Sequence, residues 1–518
     1  MYIEPNTTIK LYSGIPLDNT YNHTLWFDSI SAQNGYFHGG IAKYTLANNS
    51  YQRVERGKMR IERKADDLYD CNYLAFQNSN YGNKWFYAFI TGVEFINNVT
   101  SEVTFEIDSM QTYLFDVDVK NCFVAREHSL TDDVGDNIQA EPVECGEYIG
   151  SDYNVLLPLT DMAVIVAITN ETDIGLTYEG IFSGAVLKAF RSDDTSSIVA
   201  EIRNYIHQPD QIVSIYMCPI KAIKLSGSIE DGGELLGATF NSPRHSVPLP
   251  SVSQTTQDFG GYTPKNKKMY TYPYNFVRVD NARGDSLNLR YEFFDNLTPI
   301  IQITGCVVMP VQMVARPCSY KGLPSYTQLG GYTTSKSEMI KLDNYPMCSW
   351  NVDSYKRWVA QKTIPLLLSA INRSVGGAFV GGLGGGLLGL ASSVSNGIKQ
   401  QYEASIMADQ CRGNIGDGSV NISDGCQQFY WQRIHLTRDY AEVVDNFFTM
   451  FGYATNKVKT PNRSSRPHWN YVQTKGCVVK GSAPSDEIRK IRGIYDKGIT
   501  FWKSASEVGD YTLNNAPT

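Results

Sequence analysis

Alternation of apolar and polar side chains is the clearest local signal in the first part of the chain. Val103, Phe105 and Ile107 alternate with Glu102, Thr104, Glu106 and Asp108. A period of two puts the apolar set on one face of a strand and the polar set on the other, so this stretch predicts a half-buried sheet. Just before it, Tyr81-Gly82-Asn83 supplies a turn and Lys84-Trp85-Phe86-Tyr87-Ala88-Phe89-Ile90 an aromatic run of strand character. The first 130 residues therefore read as one N-terminal β module. Arg53, Arg56, Lys58, Arg60, Arg63 and Lys64 cluster within it, most simply as the solvated face of a strand or hairpin.

Residues 131–150 are acidic and turn-rich and predict a linker; the apolar strand at 162–168 then opens an inserted domain, so that linker and insert cover 131–264. Residues 225–268 carry Gly, Ser and Pro, including Pro248-Leu249-Pro250, and read as a long loop or second boundary. Strand patterns resume at 270–279, 287–294 and 299–310, making 265–350 the first part of a second β module that residues 430–518 complete. Within that last part, Pro484-Ser485-Asp486-Glu487 supplies a cap and an acidic first turn. Ile488, Ile491, Ile494 and Tyr495 follow at helical spacing, Lys497-Gly498 marks a stop, and Ile499-Thr500-Phe501-Trp502 reads as a closing strand.

One segment, within 351–429, breaks the pattern. Between residues 364 and 398 the only charged side chain is Arg373. As a helix, its uncharged 25 residues would span roughly 37 Å at about 1.5 Å each, enough for the hydrocarbon thickness of a bilayer. Gly377, Gly381, Gly385 and Gly389 recur every fourth residue, and Ser393 and Gly397 continue the small series. On a helix this makes a smooth ridge where a second backbone can approach closely. Leu366, Leu367, Leu368, Phe379, Val380, Leu383, Leu387, Leu388 and Leu390 supply the apolar contacts that would meet lipid. Each interior glycine costs an isolated helix roughly 0.8–1 kcal/mol in water, so the stretch should not hold a helix alone and must be covered until used. The plain alternative is a buried glycine-rich hairpin or tether. A phosphate-binding loop does not fit, because no Gly-Lys-Ser/Thr follows and no lysine stands within the run.

Composition narrows the function. The chain has 518 residues and a formal charge of −7, which argues against a surface that neutralises nucleic-acid phosphates. The N-terminus lacks a basic region followed by an apolar one, so folding in the cytoplasm is expected. Ten cysteines are scattered with no CxxC pair and read mostly as reduced core residues. The seven histidines, 23, 38, 128, 207, 245, 435 and 468, show no metal-ligand spacing, and no GxSxG elbow occurs. The expectation is no enzyme, no catalytic residues, no metal and no cofactor.

Several motifs together carry a resemblance. Residues 77–90, read as Gln77-Asn78-Ser79-Asn80 followed by Tyr81 through Ile90, stand with Phe105-Glu106-Ile107-Asp108, Gln111-Thr112, Phe115-Asp116 and Arg126-Glu127-His128. This set resembles the N-terminal region of the distal tail tube, or tail knob, proteins of small phi29-like podophages. Asn470 through Lys475, with Gly498 through Trp502, resembles the end of the same family. Tyr272-Pro273-Tyr274 and the glycine-rich segment fall between them in the matching order, and residues 150–260 match poorly.

The resemblance implies a mainly β protein with minor α content, built of β-barrel-like tail-tube modules assembled as a ring. It implies a homohexamer at the distal end of a short tail, in contact with other phage tail proteins. Long apolar loops, here residues 364–398, would plug the lumen and on release form a channel across the host cytoplasmic membrane for genome ejection. Double-stranded DNA would be passing cargo, without sequence-specific binding. The expected location is the virion, after assembly in the host cytoplasm. A rival reading, prompted by the 33 tyrosines, is a receptor-binding or glycan-cleaving tail component.

Overall fold

The computed structural model describes residues 6–49, 57–79, 82–156, 258–280, 286–306 and 429–517. Between these it describes 162–168, 177–178, 181–182, 186–205, 207, 211–220, 223–226, 229, 233–238, 245–249, 312–318, 320, 349–351 and 412–413. The fold is mainly β with few helices. The chain divides into two compact units, one formed by Met1–Cys145, Gly260–Met269 and Arg438–Thr518, the other by Gly146–Phe259 and Tyr270–Thr437.

The first unit holds a six-stranded antiparallel sheet in the order Tyr44–Asn49, Thr7–Ser13, Cys71–Asn78, Trp85–Asn97, Thr100–Ile107 and Lys58–Ile61. The period-two pattern of the sequence is visible in it. Val103 and Phe105 are buried, while Glu102 and Thr104 are only partly covered and Glu106 is exposed. Ile9, Leu11, Met59, Ile61, Leu74 and Ala88 share the core of Val103 and Phe105. On the opposite face Tyr12, Tyr73, Tyr87 and Phe89 meet Phe37, Trp469 and Trp502 in an aromatic core. The basic cluster is a strand face: Lys58 and Arg60 lie 3.3 and 3.8 Å from Glu102, and Arg63 stacks on Tyr44. Arg53 and Arg56 lie outside the described residues.

A five-stranded sheet in the same unit joins the two ends of the chain. Its order is Thr24–Leu25, Ile499–Trp502, Trp469–Lys475, Cys122–Glu127 and Tyr453–Lys459, parallel only between the first two. The closing strand Ile499–Trp502 is buried throughout, Thr500 included, between the strands that flank it. The helix Ser485–Lys497 buries Ile491 and Tyr495 beside it. Its start differs from expectation, because Pro484 occupies the cap position and offers no side-chain acceptor. Gly498 ends it at φ 111°, and a Cβ there would sit 2.2 Å from the Tyr471 hydroxyl oxygen, so glycine is required both by conformation and by space.

The second unit contains a seven-stranded sheet in the order Ile223–Ser226, Gly233–Ala238, Val186–Arg191, Met162–Ile168, Ile212–Pro219, Ser349–Asn351 and Arg412–Gly413. Helix Thr195–Arg203, capped by Asp194 on the Ser197 amide, lays Ile198 and Ile202 on Val166, Ile168, Phe190 and Ile212. A four-stranded sheet follows the order Tyr148–Val155, Tyr430–Leu436, Asn275–Asp280 and Ser286–Leu289. A three-stranded one runs His245–Pro248, Ile300–Cys306 and Gln312–Cys318. Two predicted strands are shorter than their apolar patterns. The first begins only at Asn275, after a turn closed by the Tyr274 amide on the Thr271 carbonyl. The second stops at Leu289, before a 3-10 turn at Tyr291–Phe293. Residues 225–268, expected as loop, include the strands Gly233–Ala238 and His245–Pro248.

Candidate functional site

Every side chain assigned from sequence to membrane contact or ridge packing lies in 352–411, outside the described residues. These are Leu366, Leu367, Leu368, Phe379, Val380, Leu383, Leu387, Leu388 and Leu390, with Gly377, Gly381, Gly385 and Gly389. What the structure describes is how that segment is attached. The chain enters it from the strand Ser349–Asn351 and leaves it into Arg412–Gly413, and these two strands pair antiparallel, Trp350 with Gly413 and Asn351 with Arg412. The pair lies at one edge of the seven-stranded sheet, next to Ile212–Pro219. Both ends of the apolar segment are therefore clasped at one place on a sheet whose interior residues Ala163, Ile165, Val166, Leu187 and Ala189 are fully buried.

The first unit carries a second feature that the sequence did not announce, a cluster of buried ionic side chains. Glu141, within the acidic stretch read as a linker, has a fully buried side chain. It pairs with both Arg126 and Lys268 and also accepts the Ala454 amide at 2.8 Å. Arg126 reaches further, donating to the Gly452 carbonyl at 2.7 Å, and its guanidinium covers the Phe447 ring. Burial pulls the Lys268 ammonium below its usual range, with the Glu141 carboxylate opposing that shift. Asp132, in the same acidic stretch, accepts the Tyr453 hydroxyl at 2.5 Å, and burial pushes its carboxyl up to about 6.

Helix Arg438–Phe451 supplies Asp445, whose carboxylate binds the returning segment Gly260–Met269. One oxygen accepts the Tyr262 hydroxyl at 2.6 Å and the Lys265 amide at 2.7 Å; the other accepts the Asn266 amide at 3.0 Å and its side-chain amide at 2.9 Å. Four donors on one fully buried carboxylate explain how a ten-residue stretch from the middle of the chain docks here without a strand of its own.

The motif Arg126-Glu127-His128 is structural throughout. Glu127 pairs with Lys459 and accepts the Asn462 amide at 2.8 Å. His128 accepts the Tyr471 amide on Nδ1 at 2.7 Å and donates from Nε2 to the Thr449 carbonyl at 3.1 Å, which fixes the neutral tautomer. Burial, reinforced by the Arg466 charge, lowers it to about 3. His38, between the Tyr12 and Tyr87 hydroxyls, is lowered to about 4, mainly by burial. Among the described residues no group of three His, Cys, Asp or Glu side chains is placed to hold a metal ion. The tyrosines are heavily used as core: Tyr12, Tyr73, Tyr87, Tyr270, Tyr274, Tyr291, Tyr453 and Tyr495 are among the largest fully buried side chains.

Comparison with known proteins agrees with this architecture. Residues 238–516 match the family described as Bacillus phage phi29, tail knob protein gp9, C-terminal domain. Residues 5–119 match the caudoviral major tail protein N-terminus. Tail knob protein gp9 of Bacillus phage phi29 is 26% identical, and that of Bacillus phage PZA 27%, each alignment covering 98% of both chains. The structure of the bacteriophage C1 tail knob protein, gp12, shares the fold with a TM-score of 0.65 over 98% of this chain and 99% of that one, at 16% identity. With one family spanning the C-terminal half and full-length relatives of the same kind, this chain belongs to the tail knob protein gp9 family of phi29-like phages and is a structural protein of the virion tail.

Proposed function

We propose that six copies of this chain form a ring at the distal end of the tail, and that residues 364–398 plug its lumen until infection. On release the segments leave the ring and pack with one another along the ridge of Gly377, Gly381, Gly385 and Gly389. Leu and Phe side chains then face lipid, and the assembly makes a channel through the host cytoplasmic membrane for DNA. The work is mechanical and no bond is made or broken. Arg373, costly at the centre of a bilayer, faces the lumen or an interface. An acidic chain suits a conduit, since each phosphate it neutralised would slow the passing DNA. In this scheme 1–130 and 265–350 with 430–518 are the tube modules, 131–264 the linker and insert, and 351–429 the membrane-active region. Contacts with other tail proteins hold the ring in place.

The observation that carries the reading is the clasp. A long apolar segment whose two ends are paired at one sheet edge can depart and return without unravelling the sheet that bears it. Deleting residues 366–395 tests it in the phage. Particles should assemble and adsorb normally but deliver no DNA. Normal delivery would reject the channel, and lost adsorption would favour a receptor-binding role.

A further inference from the structure

Cys122 and Cys477 lie 355 positions apart in sequence and side by side in the fold. The strands Cys122–Glu127 and Trp469–Lys475 are paired up to Phe123 with Lys475. Just beyond, the Lys120 amide donates to the Val478 carbonyl at 2.8 Å, and Val119 pairs with Val479. The two chains are thus tied on both sides of a short window that contains Cys122 on one and Gly476-Cys477 on the other. The register on both sides sets Cys122 opposite Gly476, one position from Cys477. Facing Cα atoms about 4.5–5.5 Å apart and a step of about 3.4 Å along the strand put the two cysteine Cα atoms roughly 6 Å apart, within the range a disulfide bridges. Gly476 takes φ 67°, which breaks the alternation and lets Cys477 turn into the same core as Cys122. Each cysteine is 5% exposed in that core, among Met110, Val472, Val479 and Ile491. The thiols are within hydrogen-bonding reach of each other, and both are free.

We propose that Cys122 and Cys477 are a latent disulfide, closed in the released virion by a peroxide. One thiol gives its electron pair to the peroxide and becomes a sulfenic acid with loss of water; the second thiol attacks that sulfur, a second water leaves, and the S–S bond forms. Synthesis in a reducing cytoplasm leaves the pair open, whereas a tail protein spends its extracellular life under oxidising conditions. Burial pushes the Cys477 thiol up to about 12, so closure is slow and waits on local opening of the chain around Gly476. The bond would tie the N-terminal and C-terminal parts of the first unit together and slow their separation.

The test uses the full-length protein, freshly purified under reductant and then exposed to hydrogen peroxide. Peptide mapping without reduction should yield a peptide joining Cys122 to Cys477, with two thiols per chain lost on titration in denaturant. The oxidised protein should melt several degrees higher than the reduced one, and Cys122→Ala should abolish that difference. Free Cys122 and Cys477 after other cysteines have reacted would overturn the proposal. So would an equal gain in melting temperature in Cys122→Ala. The map on the wild-type chain decides the matter even if the variant fails to fold.

Discussion

His128 accepts one backbone hydrogen on Nδ1 and donates another from Nε2, and the accepting bond needs the neutral ring. The unfolded chain takes up a proton near pH 6.5, while the folded one resists until about 3, so stability is lost as pH falls from about 6.5 toward 3. Asp108 and Asp132 act with the opposite sign. Burial raises each from 3.8 to about 6, so the folded state keeps protons the unfolded state has released, and that contribution is lost as pH rises from about 4 through 6. Comparing wild type with His128→Gln isolates the histidine: urea midpoints at pH 7 and pH 4 should differ less in the variant than in the wild type. Glu141→Gln is expected to be harsher, leaving Arg126 and Lys268 buried without their shared counter-charge. A cost of about 3–5 kcal/mol follows for a broken buried pair, read from denaturant unfolding at pH 7.

At the scale of elements, the carboxylate of Asp445 holds Lys265 and Asn266 through their backbone amides, which a sheet would otherwise do. Asp445→Ala should therefore raise hydrogen exchange at those two amides while leaving the amides of Trp85–Asn97 protected. Sequence reading recovered the elements with simple periodicity: the alternating strand Thr100–Ile107, the strand Met162–Ile168, the amphipathic helix Ser485–Lys497 and the closing strand Ile499–Trp502. It missed helix Ile30–His38, whose Asn34, Gly35 and Tyr36 are poor helix formers and whose strongest sign is the Ser29 cap on the Ala32 amide. It also missed Arg438–Phe451, because the buried face of that helix carries Asp445 and Thr449 beside Ala441, Val444 and Phe448. A polar residue on an inner face reads as exposed until its partners are known. For the glycine ridge, Gly381→Leu and Gly385→Leu should reduce dye leakage from liposomes while ring assembly persists. Equal leakage from the variants rejects ridge packing.

At the scale of the molecule, the mostly β fold was legible, but the way the ends interleave was not. Cys122–Glu127 lies between strands that follow it by more than 300 residues, and no periodicity encodes such a pairing. The acids of 131–150 looked solvated because charge usually means water, yet Asp132 and Glu141 are interior, matched to cations and hydroxyls from distant segments. The candidate site stood out in sequence by its missing charges and its four-residue glycine spacing, whereas its clasp could not, since two- and three-residue strands carry no pattern. Electron micrographs of the purified protein should show sixfold rings, and monomers at working concentration would remove the enclosed lumen on which the plug depends.

The pairing of Ser349–Asn351 with Arg412–Gly413 also sets a length and a mechanics. With departure and return at the same spot, the farthest point that 352–411 can reach is set by half its length. About 30 residues each way reach roughly 100 Å if extended and about 45 Å if helical, and either exceeds the roughly 30 Å of a bilayer's oily layer. A pull on the tip draws both strands in the same direction, so it is borne by the pairing of Ser349–Asn351 with Ile212–Pro219 and not by the pair itself.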